Sequence, residues 1–228
     1  MARPVVLPCD TDALIQLFLS KNIKPLQVLT NYGIQPVIVP EVEIELASNR
    51  KYSHRIQSDV RKSIASGLLR VLDKTTLATV LGGPAAAASA SATLTAIHTL
   101  GAQYQRYVDL GEAYTHSAAI TLGTPSLSHD ITALRALTNA GLATPDPVLR
   151  LFDLVALCYQ TGDLSAGDCD LIRQTLSGES EWLPLAFKNT SFAGGIHKFC
   201  PRILDGTRAT IGQALPSITG PFSSRLLV

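Results

Sequence analysis

The chain lacks the features that would place it quickly. Its four cysteines (Cys9, Cys158, Cys169, Cys200) form no CxxC pair and no zinc-ligand spacing, and Cys9 and Cys158 lie in apolar runs. They read as buried thiols of a reducing compartment. Charge is sparse, at 16% of residues, and nearly balanced at a net +1. No global field draws the protein to nucleic acid or membrane, so any polyanion must be held by local patches. No apolar stretch is long enough to span a bilayer, and no secretory signal precedes Val5. A cytoplasmic protein without a membrane partner is the expectation. The 228 residues, 46% of them hydrophobic, suit one well-buried domain with appendages.

Strand and helix signals alternate along the first half. Val5–Cys9 is a short apolar run fit for a strand buried on both faces. Asp12 can cap a helix on which Leu14, Leu17 and Phe18 recur at helical spacing. A connection rich in Pro and Gly leads to a second strand, "PVIVP", and Pro40 opens the helix "EVEIELA". Ser58 is placed to cap a further helix, and "LRVL" after Gly67 reads as a third strand. Such alternation predicts a parallel sheet covered by helices.

The alanine-rich stretch 82–101 interrupts the pattern and reads as a helix or an insertion. Beyond it come the helix "YVDLGEAYTHSAAITLG", a fourth strand "PSLS", and the helix "ITALRALTNAG". Asp146 precedes another helix, "PVLRLFDLVALCYQ", and Ser165 can cap a last one through Leu176. Past Gly178 the periodicity fades, so 178–228 reads as a C-terminal extension on a domain spanning 1–177.

Acidic residues collect where strands end. Asp10 follows the first strand and Asp130 the fourth, Glu41 and Glu45 lie on the helix after the second, and Glu112 opens the helix after the insertion. In an open parallel sheet, ligands gather at the carboxyl ends of strands. Converging carboxylates repel one another unless a hard divalent cation sits among them. Each residue also has a plainer reading: Asp10 and Asp130 as helix caps, Glu41, Glu43 and Glu45 as solvated helix residues, Glu112 as a partner of the helix dipole.

Two families place an aspartate after a buried strand. Haloacid-dehalogenase-like phosphohydrolases carry DxD there, and "TGDLSAGDCD" superficially resembles their late acidic motif. However, Leu14 stands where that family has Thr, and "TGD" follows a helix. More of the chain resembles the PIN-domain nucleases, in particular their prokaryotic toxin-like branch. "VVLPCDTDALI" is similar to that family's opening strand and "DT(N/S/D)xLI" pattern. "VPEVEIELA" is similar to its "P-x-V-x-x-E-L" helix, "DLGEAYTHSAAITLG" to its "D-x-GE" helix, and "PSLSHDITALRAL" to its strand, aspartate and helix. The resemblance covers roughly residues 4–176, with 75–103 as an insertion.

The resemblance implies a three-layer α/β/α domain with a central parallel sheet. It implies a Mg²⁺- or Mn²⁺-dependent ribonuclease whose metal is held by Asp10, Glu45, Glu112 and Asp130. A cation-activated water would do the cleaving, with no Cys, Ser or Lys nucleophile. Asp12 then keeps the cap role, and His116 and His129 flank the site as hydrogen-bonding groups. The run "NRKYSHRIQSDVRK" offers Arg50, Lys51, Tyr52 and Arg55 as a nucleic-acid patch, or simply a solvated helix face. Lys188, His197, Lys198 and Arg202 make a weaker patch. RNA is the expected substrate, with an antitoxin protein and a second copy of the chain as further partners. A non-catalytic RNA- or protein-binding module is the alternative.

Overall fold

The computed structural model describes residues 5–48, 53–82, 85–145, 148–179 and 183–199; the side chains of 53–55, 131, 197 and 199 lie outside that description. The protein is mixed α/β, mostly helical, around a small parallel sheet. Strand β1 (Val5–Pro8) pairs with β2 (Ile34–Ile38), and β2 with β3 (Arg70–Val71). A second parallel pair joins β4 (Ser126–Leu127) to β5 (Val148–Leu149). A parallel bridge between Cys9 and Leu127 links the two pieces, so the strands run β3-β2-β1-β4-β5 across the molecule. From β1 the chain goes to β2 on one side and returns as β4 on the other. This is the reversal of strand order at which α/β sheets open a crevice.

Local sequence explains most elements. Val6 and Leu7 are buried because β1 is covered on both faces. Helix α1 (Thr11–Leu19) follows β1 directly, and α3 (Pro40–Ser48) starts on Pro40 as expected. Helix α7 (Leu110–Leu122) ends at Gly123, whose φ of 63° closes a Schellman turn with Thr124 N–H donating to Ala119 C=O at 2.9 Å. Gly123→Ala is expected to cost about 1 kcal/mol in urea unfolding, because alanine is strained at that φ. The alanine-rich stretch forms α6 (Ala86–Tyr104), which packs on α7 and on α5 (Lys74–Leu81), a helix capped by Asp73.

Several boundaries differ from the sequence reading. The Pro/Gly-rich connection contains α2 (Lys24–Asn31), which uses Pro25 in its first turn. Helix α4 (Ser53–Ala65) begins upstream of Ser58. "PVLRLFDLVALCYQ" is not one helix: Val148 and Leu149 pair with β4, and α9 (Leu151–Gln160) restarts after Arg150. Pairing with a buried neighbour outweighs the helical pattern there. Helix α8 (Ile131–Asn139) and the Ser165-capped α10 (Ala166–Gly178) lie where expected.

The extension past 178 contributes two short helices, α11 (Leu185–Lys188) and α12 (Phe192–Phe199). Phe187 stacks on Phe152 of α9 with ring centroids 5.1 Å apart, and on Phe192 at 4.8 Å. Cys9, Cys158 and Cys169 are free and buried, and burial pushes their thiols up. Among the described residues no single helix is long and apolar enough to cross a membrane.

Candidate active site

The site starts where β1 ends. Asp10 N–H donates to Leu127 C=O at 2.9 Å, which ties the aspartate to β4 as the chain leaves the sheet. Its side chain caps α1: Oδ1 accepts from Thr11 N–H at 2.6 Å, and Oδ2 accepts from the Ser128 hydroxyl at 3.2 Å. The cap is therefore Asp10 and not Asp12, which is exposed in the first turn of α1. Helix α1 begins two residues earlier than the apolar spacing suggested. A carboxylate has about four lone-pair sites, so capping and cation binding do not exclude each other.

Asp10 is only 2% exposed. Burial first, then the charges of Asp12 and Glu45, raise its carboxyl from 3.8 to about 8, against the Thr11 and Ser128 hydrogen bonds that lower it. Glu112, in the first turn of α7, goes further, from 4.5 to about 9. Burial leads again, followed by the charges of Asp10, Asp130, Asp109 and Asp12. The helix-dipole benefit of roughly 0.3–1 kcal/mol is too small to offset burial beside other carboxylates.

Glu45 reaches across from α3 to the start of α7. Its Oε1 accepts from Gly111 N–H at 2.8 Å, and its Oε2 accepts a short hydrogen bond from the Thr11 hydroxyl. A Cβ at Gly111 would lie 2.2 Å from Glu45 Oε2 and 2.9 Å from Thr11 Oγ1, so a larger residue there would displace the Glu45 carboxylate. Thr11 and Gly111 thus tie α1, α3 and α7 together through one carboxylate. Glu43 is exposed, but Glu41 is not a solvated residue; its Oε1 lies 3.7 Å from His98 Nδ1 on α6.

Asp130 follows β4 and caps α8, with Oδ1 accepting from Thr132 N–H at 2.6 Å and Ala133 N–H at 3.2 Å. It is half-buried, and its charge acts on both Glu112 and His116. His116, one turn along α7 from Glu112, is fully buried, and no described residue hydrogen-bonds its Nε2. Its Nδ1 lies 3.5 Å from the Ser126 hydroxyl. Burial lowers it to about 4 despite Asp130, so it is neutral at physiological pH, and its contact is a serine and not a carboxylate. His129 sits half-buried between Ser128 and Asp130.

The fold therefore brings Glu112 within electrostatic reach of both Asp10 and Asp130, and Glu45 within reach of Asp10. Among the described residues, no three His, Cys, Asp or Glu side chains converge tightly enough to enclose a metal ion. The donor chemistry nevertheless fits a hard cation. Mg²⁺ needs only one or two carboxylates, its other positions taken by water and phosphate oxygens. The raised carboxyls of Asp10 and Glu112 mark a place where positive charge is wanted.

Thr11, Gly111 and Ser128 are the site residues that sequence reasoning passed over. Their signals were present, as the middle residue of "DTD", the glycine before Glu112, and the serine before "HD". Arg50, Lys51 and Tyr52 lie outside the described residues, as does the side chain of Arg55. Farther along α4, Arg61 and Lys62 are exposed, and Lys62 pairs with Asp59 at 3.5 Å. Lys188 and Lys198 are exposed on α11 and α12; Arg202 and the side chain of His197 lie outside the description. Asp163 of "TGD" sits in the turn after α9, accepting from the Thr161 and Tyr32 hydroxyls, and follows no strand.

Compared with models of protein families, with curated proteins and with solved structures, the chain matches none.

Proposed function

We propose that this protein is a PIN-like α/β/α nuclease, a divalent-cation-dependent phosphodiesterase that cleaves RNA at the crevice between β1 and β4. The observation that carries the reading is the pair of buried, charge-coupled carboxyls of Asp10 and Glu112, with Asp130 beside them, at the reversal of strand order. Mg²⁺ or Mn²⁺ would be held by one or two of the carboxylates of Asp10, Glu112, Asp130 and Glu45, its other positions taken by water and phosphate oxygens. A bound cation would neutralise charge on the phosphate and activate water toward it. The Ser128 hydroxyl and Thr11 N–H hold the Asp10 carboxylate in one orientation, and Thr11 and Gly111 hold that of Glu45. Burial of Asp10 keeps bulk water from screening the site. In this reading the biology is that of a toxin whose partner is an antitoxin protein.

The test is cleavage of a single-stranded oligoribonucleotide with Mg²⁺ or Mn²⁺, by the wild-type chain and by Asp10→Asn. Metal-dependent cleavage that falls at least about 100-fold in the variant, the scale of losing one charge-stabilising group, supports the reading. Cleavage that persists in Asp10→Asn overturns the assigned site. One observation favours a second reading, a module that binds RNA or protein without cutting: the Glu45 carboxylate already has partners in Thr11 and Gly111. RNA binding with no cleavage under either metal would select that module.

A further inference from the structure

One polar atom beside the acidic site has no use in the fold. His116 is fully buried, and no described residue hydrogen-bonds its Nε2. A buried polar atom left unpaired is costly, and an apolar side chain would fill the same space without that cost. The imidazole is therefore explained by something that Nε2 binds.

Three observations place that something at the acidic crevice. First, Glu112 and His116 are four residues apart on α7 and share one helix face. Helical side chains lean toward the start of their own helix, so the His116 ring leans over the turn that carries Glu112. Second, its Nδ1 lies 3.5 Å from the Ser126 hydroxyl, and Ser128, two residues on and facing the same side, hydrogen-bonds Asp10 Oδ2. Third, the charge of Asp130 acts on the ring. Nε2, the outer nitrogen of a ring held this way, faces Glu112 and Asp130.

The chemistry of that position suits a cation. Burial holds the imidazole neutral. In the tautomer with Nδ1–H toward Ser126, Nε2 carries the lone pair that a metal ion takes. Two ligands at i and i+4 of one helix are spaced to grip a single ion, as paired histidines do for zinc. Such a pair needs no third side chain when water and phosphate oxygens complete the shell. Imidazole is a softer donor than Mg²⁺ prefers, and it suits first-row transition ions.

We propose that His116 Nε2 and the Glu112 carboxylate hold the cation between them, so that the site selects first-row transition ions such as Mn²⁺ and Co²⁺ over Mg²⁺. The proposal rests on that part of the nuclease reading which places a cation at this crevice. Its test measures Kd for Mn²⁺, Co²⁺ and Mg²⁺ by titration calorimetry on the full chain, in the wild type, His116→Gln and His98→Gln. His98, on α6, is 52% exposed and reports adventitious binding to an imidazole. Electron spin-echo spectroscopy of the Mn²⁺-loaded wild type then reads hyperfine coupling to a ligated imidazole nitrogen.

The expected result is that the wild type binds Mn²⁺ and Co²⁺ at least about tenfold more tightly than Mg²⁺, with nitrogen coupling present. His116→Gln should lose that preference by at least about tenfold, the scale of removing a group that tunes a metal site. His98→Gln should match the wild type. If His116→Gln does not fold, the wild-type selectivity and spectrum carry the test. Mn²⁺ bound without nitrogen coupling, or an unchanged preference in folded His116→Gln, overturns the proposal and leaves the nuclease reading intact. A loss in His98→Gln equal to that in His116→Gln means an adventitious ion only and overturns it as well. Selective, nitrogen-coupled binding in a chain that cleaves no RNA upholds the metal site while the nuclease reading fails. If the wild type binds none of the three ions, both fall.

Discussion

Asp10→Asn is expected to unfold at a higher temperature than the wild-type chain at neutral pH in the presence of a chelator, even as it loses cleavage. Asparagine keeps the hydrogen bonds: its Oδ1 can still accept from Thr11 N–H, and its amide can donate to the Ser128 hydroxyl. What it removes is a charge that burial and neighbouring carboxylates oppose. The sign follows from the direction of the shift. The folded carboxyl titrates near 8 and the unfolded one near 3.8. The folded state therefore binds the proton more tightly, and the stability this provides is complete below about pH 4 and is lost as pH rises through 8.

The gap between wild type and Asp10→Asn should thus be absent in acid, open between about pH 4 and 8, and stay open above. The full shift sets a ceiling of about 5–6 kcal/mol. Relaxation and water entry at a crevice reduce it to about 1–3 kcal/mol, or roughly 3–10 °C in Tm. Glu112→Gln should behave alike, with its window displaced toward 9. The double variant should gain less than the sum, because the Asp10 charge is one cause of the Glu112 shift. Adding Mg²⁺ or Mn²⁺ should raise the Tm of the wild type and leave that of Asp10→Asn nearly unmoved. A Tm for Asp10→Asn that is lower than wild type at neutral pH, with no pH-dependent gap, would contradict the account of a strained carboxyl cluster.

Gly111→Ala should reduce cleavage about 100-fold, the scale on which an ångström of misplacement acts on a positioned group. The new Cβ would stand 2.2 Å from Glu45 Oε2, so the Glu45 carboxylate has to leave Gly111 N–H and the Thr11 hydroxyl. Crowding of this kind costs about 1–3 kcal/mol, partly offset by the better helix propensity of alanine. The effect belongs to the pair and not to the helix. In a Glu45→Ala background, Gly111→Ala should therefore cost little further activity, a coupling that a double-mutant cycle reads directly. Gly123→Ala, also at an end of α7, is the control: it strains the backbone without approaching a carboxylate. Equal losses for Gly111→Ala with and without Glu45 would remove Glu45 from the site.

The two variants illustrate what was legible in the chain. Asp10, Glu112 and Asp130 were marked by position, since each follows a strand signal or opens a helix signal. Thr11 and Gly111 stood beside those acidic residues in the chain, but their roles depend on Glu45, which is 34 residues from Thr11 and 66 from Gly111. Asp12 was misread as the cap because hydrophobic spacing does not define a helix start to one residue. Val148 and Leu149 were misread as helix because their partners on β4 are far away in the chain.

By itself, the sequence determined the local order: a buried strand into a helix, proline at the start of α3, Gly123 at the end of α7, and acidic residues at the element boundaries. These follow from backbone conformation and apolar spacing, which act over a few residues. The tertiary structure decided which carboxylates meet, that Asp10 and Glu112 lie where their charges are resisted, and that His116 is fully buried one turn from Glu112. Those outcomes come from strand order and burial, and a charge acquires its free energy from neighbours that only the folded chain brings near it.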